Sequence, residues 1–465
     1  MRTFADPPLN QCRPDPAALQ HHAADRALLI ERINQRAARL GTPAMHSGRP
    51  IIATGHQAWL WHPGILAKDI AMAVACDHHH AAPLHLTVDQ DAHPVWHLEL
   101  PVRRGDRLLV QRTVLAPHLS AVPTGAQPPA ELATLRRSLE QCADGRLEPI
   151  LDALRDFPHC RTLAEQVAVL LARLMQPIVG DTPLLMVSDL PGLPGYDGLI
   201  QDMLHDARSC VSAYNAAVAA VPEAGVPPLI VERERVELPL WAVQHKQVRR
   251  RVYADLADST PWLVDQVGRP IDRSTTMLLP RALLLSAVMR SFVADLFIHG
   301  RGGGHYDRAT EQWWARWRRA PLAPKAVVSA DVHLNLGAPL ADAGDYRHAH
   351  WLHRYARYNV DRLLKLDGPL IEQKRHLIGH MHADRNRMRR RLAFREIRRI
   401  NAELVERHPQ LIEQTRQQLD QAELGLANAR IADRRDWCFV LYPHVQLQAL
   451  REVLHQQLRS HAGRP

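Results

Sequence analysis

Apolar and polar positions divide this chain into two regimes. Short apolar runs ending in polar residues alternate with segments of helical period up to about Asp345, and beyond it only the helical period continues. The run Ile51-Ile52-Ala53-Thr54 stops at Gly55-His56-Gln57, and apolar residues then recur at Ile65, Leu66, Ile70 and Val74. That pattern predicts a strand, a polar turn and a helix. A second run, Leu84 to Val88, ends in Asp89-Gln90-Asp91-Ala92-His93. Together they predict a βαβ unit with polar residues at both strand ends. In open α/β sheets ligands bind outside the carboxyl ends of the strands where strand order reverses, which puts the candidate site here.

The flanking pattern extends this α/β reading. A leading helix is expected from Pro16 to about Leu40, carried by Ala18, Leu19, Ala23, Leu28, Leu29 and Ile33. Alternation from Val95 to Val102, a Gly105-Asp106 turn and Leu108-Leu109-Val110 predict a β-hairpin. Helical spacing from Pro128 to Met175 predicts a helical insertion at about 115–180. Pro183 to Asp189 reads as a third strand, followed by a helix from about Asp197 to Val221 and a β-meander at about 230–275. Leu296-Phe297-Ile298-His299 is the last strand expected in the core. It leads into a loop, Gly300-Arg301-Gly302-Gly303-Gly304-His305-Tyr306-Asp307, before a helix from Arg308 to Trp317.

These elements predict a core over residues 1–344 and a helical arm over 345–436, broken at Gly368-Pro369 and His408-Pro409. A C-terminal segment, 437–465, then returns to the core. Leu411, Ile412, Thr415, Leu419, Ala422, Leu426 and Ala429 recur at a period near 3.5, the spacing of a coiled coil, and an arm of that kind predicts a homodimer.

Composition narrows the class. With 465 residues and 46% hydrophobic content the chain can bury a large core. No apolar stretch approaches the length of roughly 20 residues that spans a bilayer, and the N-terminus lacks the apolar region of an export signal. Six scattered cysteines without a C-x-x-C pair suggest neither a zinc knuckle nor a disulfide framework. The expectation is a cytoplasmic protein without membrane association. The net charge of +9 is local: between Asp345 and His408 stand 16 Lys and Arg against 8 Asp and Glu, which reads as a solvated helix face more than a nucleic-acid surface.

Three clusters carry candidate chemistry. Gly55, His56 and Gln57, with His62 and Lys68, combine a glycine at a strand end with donors at a helix start, where an anionic group is favoured. Asp89 and Asp91 stand at i and i+2, so an extended segment would direct both carboxylates at one ligand, with His93 nearby. The glycine-rich stretch lacks the G-K-[ST] ending of a P-loop and the G-x-G-x-x-G spacing of a dinucleotide fingerprint. Its amides at Gly300, Gly302, Gly303 and Gly304, with Tyr306 and Asp307, still suit an anion. His78-His79-His80 reads as a surface turn on the opposite edge of the sheet. His376 and His380 have helical ligand spacing but no evident third ligand.

Residues Thr54-Gly55-His56-Gln57, Leu60, Pro63-Gly64 and Lys68 resemble the opening of the BshC family, the cysteine-adding enzymes of bacillithiol biosynthesis. Asp89-Gln90-Asp91, Glu237-Leu238-Pro239-Leu240-Trp241, the stretch from Phe297 to Tyr306 and Arg435 to His444 follow in the family's order, so the likeness runs from about Thr54 to the C-terminus. His56 stands where the family has glutamine, and Gln90 where it has histidine. The resemblance implies a Rossmann-like core and an antiparallel coiled-coil arm used for dimerisation. It also implies ligation of cysteine to the amine of a glucosamine–malate conjugate.

On that reading His56 acts on the activated acyl group, Gln57 and the glycine loop hold the anion, and Asp89 with Asp91 receives the amine. The substrate is small and polar or anionic. A nucleotide cofactor is left open, and no metal is expected. Two alternatives stand beside it: a metal-dependent hydrolase using His62, Asp91 and His93, and a nucleic-acid-binding protein using the Arg385 to Arg399 helix.

Overall fold

The computed structural model describes residues 1–16 and 22–459 of a mixed α/β protein. The chain divides into two compact units. The first comprises Met1–Glu99, Arg112–Val332 and the chain from Arg435 onward; the second comprises Leu100–Gln111 and His333–Arg434.

In the first unit an edge strand, β1 (Arg2–Asp6), precedes helix α1 (Ala23–Leu40). Ala18 and Leu19 of the expected leading helix lie outside the described residues. Leu29, Ile33, Ala37 and Leu40 form the buried stripe of α1, and Gly41 ends it in the left-handed conformation at φ 62°. Strand β2 (Ile51–Gln57), helix α2 (Pro63–His79) and strand β3 (Ala82–Val88) form the expected βαβ unit. Helix α2 is buried on nearly every face, as its almost unbroken apolar sequence requires. His78 and His79 lie in its last turn and His80 caps it with φ 54°, on the edge away from the site.

The hairpin β4 (His97–Arg104) and β5 (Arg107–Val114) follows, then helices α3 (Leu132–Gln141), α4 (Glu148–Ala153) and α5 (Leu163–Val179). Helix α5 is buried along most of its length, so the 115–180 segment packs into the first unit rather than standing off from it. After the short strand β6 (Leu184–Met186), the single helix expected over 197–221 is two, α6 (Pro194–His205) and α7 (Ala207–Ala220), divided at Asp206. The meander is a separate antiparallel sheet of β7 (Arg235–Val243), β8 (Arg250–Asp255), β9 (Trp262–Asp265) and β10 (Met277–Pro280), in the order β10-β7-β8-β9. Helix α8 (Leu283–Val288) leads to strand β11 (Leu296–His299), helix α9 (Arg301–Trp317) and strand β12 (Lys325–Asp331).

Strand β12 corrects the expectation that the core sheet ends at His299. The six-stranded sheet has the order β1-β12-β11-β2-β3-β6, parallel throughout except for β1, which pairs antiparallel with β12. From β2 the chain steps to β3 and β6 on one side, whereas β11 joins the other side of β2 and the chain steps on to β12. Right-handed crossovers in opposite directions place α2 and α9 on opposite faces and open a crevice between the carboxyl ends of β2 and β11.

The second unit is helical: α10 (Ala343–Ala356), α11 (Val360–Leu363), α12 (Pro369–Ala383), α13 (Arg387–Arg407) and α14 (Pro409–Ala432). Val360, Ile371, Ile400 and Leu404 form its small core. Buried Asn428 of α14 accepts from the Leu108 amide and donates to the carbonyls of Asp106 and Pro339, which fastens the hairpin tip within this unit. The final helix, α15 (His444–Arg459), belongs to the first unit and buries Leu447, Leu450, Leu454 and Leu458. Among the described residues no helix is long and apolar enough to cross a membrane.

Candidate functional site

A cavity of about 640 Å³ opens at the crevice between β2 and β11, a size that suits a small-molecule ligand. Gly55, His56, Gln57, His62, Lys68 and Asp91 line it, together with Gly300, Gly302, Gly303 and Tyr306. Asp89, His93, Gly304 and Asp307 fall outside it.

Strand β2 runs through Gln57, so Gly55 lies in the ladder opposite Leu86 instead of at a turn. It is glycine because a Cβ there would stand 2.5 Å from the Leu86 carbonyl oxygen. His56 and Gln57 end the strand and face the cavity. Burial, then the Lys68 ammonium, pushes the His56 imidazole well below its ordinary range, so the ring is neutral at physiological pH. Its Nδ1 is buried without a hydrogen-bond partner.

The Lys68 Nζ donates to the Gly55 carbonyl at 2.6 Å, and burial lowers its amine to about 8. His62 is the N-cap of α2: its Nδ1 accepts from the Gly64 amide at 3.1 Å, and burial, then Arg435, lowers its affinity for a proton.

The paired-carboxylate expectation fails because β3 ends at Val88 and the chain bends at Gln90, between the two acids. Asp89 turns inward, where its Oδ1 accepts from the Ser188 amide at 3.2 Å and burial pushes its carboxyl up to about 6. Asp91 reaches the cavity but is bound by Arg249 at 2.7 Å. His93 contacts the Ala58 carbonyl through Nε2 at 3.3 Å, away from the cavity. With His93 and Asp91 so engaged, the His62, Asp91 and His93 metal set does not converge. Among the described residues no group of three or more His, Cys, Asp or Glu side chains is placed to hold a metal ion.

The glycine stretch is also corrected: it is the first turn of α9, with Gly300 as N-cap. A Cβ on Gly303 would lie 2.6 Å from His299 Nδ1, and one on Gly304 would lie 2.6 Å from Val327 Cγ2. These two glycines let α9 pack closely on β11 and β12. Gly302 has no neighbour within 4 Å at its Cβ position. No side chain caps this helix end, so amides of its first turn can meet an anion in the cavity. Asp307 is sealed beneath, bonded to Arg290 Nη1 at 2.7 Å and in ionic contact with His299 at 3.2 Å and Lys325 at 3.5 Å. Against the upward push of burial, its contacts with His299, Arg290 and Lys325 hold its carboxyl well below the usual carboxylate range.

Several lining residues were not expected from the sequence. Arg281 binds Glu237 at 2.5 Å and covers the Trp241 ring at 4.3 Å, while Arg249 also lies 4.3 Å from that ring's centroid. Glu237 and Trp241 belong to the Glu-Leu-Pro-Leu-Trp motif, so that motif was the available signal. Arg301 and Arg435 both pair with Asp331, at the end of the unforeseen β12. Gln90 donates to the Pro280 carbonyl at 3.1 Å and keeps a buried, unpartnered Oε1. Beside Arg281, Ala282 holds φ +40°, a strained conformation for a residue with a Cβ and one that clusters at functional sites.

The lining thus gathers Lys68, Arg281, Arg301 and Arg435 around a neutral imidazole, with Asp91 as its carboxylate. In the second unit the Arg387 to Arg395 half of α13 is solvent-exposed, and Arg399 is paired with Glu396 and Glu403. No description of a known protein family matches the chain, and no characterised protein does so either.

Proposed function

We propose that the protein is an enzyme that binds a small anionic substrate in this cavity and forms a carbon–nitrogen bond, as a BshC-like ligase joining cysteine or a similar amino acid to the amine of a sugar conjugate. The observation that carries this reading is the buried His56 ring, its Nδ1 without a hydrogen-bond partner, in a cavity that also presents Lys68, Arg281, Arg301 and Arg435. A neutral imidazole accepts a proton, while ammonium and guanidinium groups and the amides at a helix start hold carboxylate or phosphate oxygens.

In the reaction the amine nitrogen attacks the carbonyl carbon of an activated carboxyl group, an acyl phosphate or acyl adenylate. The new C–N bond forms as the bond to the phosphate leaving group breaks, and one amine proton passes to His56. Lys68, Arg301 and the α9 N-terminus hold the departing anion. The amine role given from sequence to Asp89 and Asp91 passes to His56, because Asp89 is sealed and Asp91 is bound by Arg249. We assign the core to the Rossmann-like class on its parallel strand order and the helical unit to a dimerising arm.

Purified protein, supplied with ATP, cysteine and glucosaminyl malate, is expected to yield an amide detectable by mass spectrometry. A sugar–malate conjugate should also raise the thermal midpoint by mass action. Absence of both product and shift across a panel of amino acids and amino-sugar conjugates overturns the reading.

A further inference from the structure

Behind His56, on the sheet face covered by α2, lies a second buried polar group that the proposed reaction does not yet use. His85 of β3 and Asp69 of α2 are 2% and 0% exposed, and His85 Nδ1 lies 2.6 Å from Asp69 Oδ1. In the β2–β3 register Thr54 stands opposite His85 and His56 opposite Thr87, so these four side chains share one face of the sheet. The Trp61 ring roofs them, with its centroid 5.0 Å from that of His85 and 5.7 Å from that of His56.

Three buried polar atoms of β2 and β3 on this face have no hydrogen-bond partner, His85 Nε2, Thr87 Oγ1 and His56 Nδ1, and Asp69 Oδ2 above them has none either. Each such atom has lost its hydration without a bond to replace it. Three of them on one face, belonging to residues that oppose or neighbour one another in two paired strands, call for a common partner. Buried polar atoms of this kind are usually satisfied by an internal water.

We infer that Asp69 and His85 are positioning residues that set the tautomer of His56 through an internal water held by Thr87. The directions follow from donor and acceptor chemistry. The Asp69 carboxylate accepts, so His85 carries its proton on Nδ1 and presents the lone pair of Nε2. That lone pair, through the water, accepts from His56 Nδ1–H. His56 is left with the Nε2 lone pair as its basic position. When Nε2 takes a proton, the imidazolium shares its charge with His85 and Asp69, and no proton leaves the layer. The other charged or titratable groups facing His56 are Lys68 of α2 and His62, the N-cap of that helix.

The inference rests on His56 being the base of the proposed reaction, but it is tested without a substrate. Ring-¹⁵N shifts of histidine-labelled protein at neutral pH are expected to show His85 and His56 both as the Nδ1–H tautomer. Thr87→Val keeps shape and removes only the hydroxyl, and Asp69→Asn removes the carboxylate; both should move His56 toward Nε2–H. An Nε2–H His56 in the unaltered protein, or a His56 tautomer unchanged in a folded Thr87→Val protein, overturns the inference. His56→Gln separates the two readings: retained amide formation would end the role of His56 as base without altering the tautomer result, whereas an unlinked tautomer with lost turnover would end only the relay.

Discussion

Lys68 of α2 reaches back to the strand that precedes its helix and donates from Nζ to the Gly55 carbonyl at 2.6 Å. The contact holds a buried cation at the carboxyl end of β2, one residue from His56. Burial rather than a partner charge sets its proton affinity, because the nearest acid, Asp69, faces His85.

That burial has a pH signature. The folded amine titrates at about 8 against 10.5 for an ordinary lysine, so the unfolded chain binds this proton more tightly. Stability should rise between those values and stand roughly 3 kcal/mol lower below the window, in proportion to the shift. Lys68→Met should flatten this slope in denaturant titrations at pH 7.5 to 10.5. It should also weaken binding of an anionic ligand, because the cavity loses its buried ammonium.

His56 gives a kinetic test. Since its imidazole is held well below 6.5, kcat/KM should keep its plateau through pH 6.5, where an ordinary histidine is half protonated. An acidic limb centred at 6.5 would contradict an imidazole buried in this way. His56→Gln should lower turnover by about 10²- to 10⁴-fold with the fold intact, checked by circular dichroism.

The glycines of α9 make opposite predictions. Gly302→Ala meets nothing within 4 Å and should stabilise the helix by up to about 1 kcal/mol. Gly303→Ala drives a Cβ toward His299 Nδ1 and should destabilise by about 1–3 kcal/mol despite the better helix propensity. Thermal denaturation of the two variants side by side checks the difference in sign.

Asp307 anchors the same helix. Asp307→Asn leaves the buried Arg290 guanidinium with only the half-exposed Glu311 carboxylate and should cost up to about 3–5 kcal/mol at pH 7. Its carboxyl lies below the ordinary 3.8, so this stabilisation is present above that value and fades as pH falls below it. The deficit of the variant, measured by denaturant unfolding, should narrow correspondingly in acid.

Much of the site was legible locally. Gly55 to Gln57, His62 and Lys68 were readable because an apolar run, a polar cluster and a Pro-Gly helix start succeed one another within eighteen residues. Asp89 and Asp91 misled because their i, i+2 spacing means a shared face only if the strand continues, and it stops at Val88. The glycines misled because glycine serves both loops and close helix packing. Which use applies here depends on His299 and Val327, whose contact with α9 is tertiary.

The sequence by itself determined the elements whose causes are local: the βαβ unit and the helical second unit, since periodicity and capping act over a few residues. Strand β12 escaped it, because a short strand is defined by its partners, and Lys325–Asp331 is held between β1 and β11. Tertiary structure alone decided the reversal of strand order that opens the cavity and the convergence of Arg281, Arg301 and Arg435 upon it. It also decided the neutrality of His56. Charge, burial and pairing are sums over neighbours distant in the chain, and they acquire values only when the strands have taken their order.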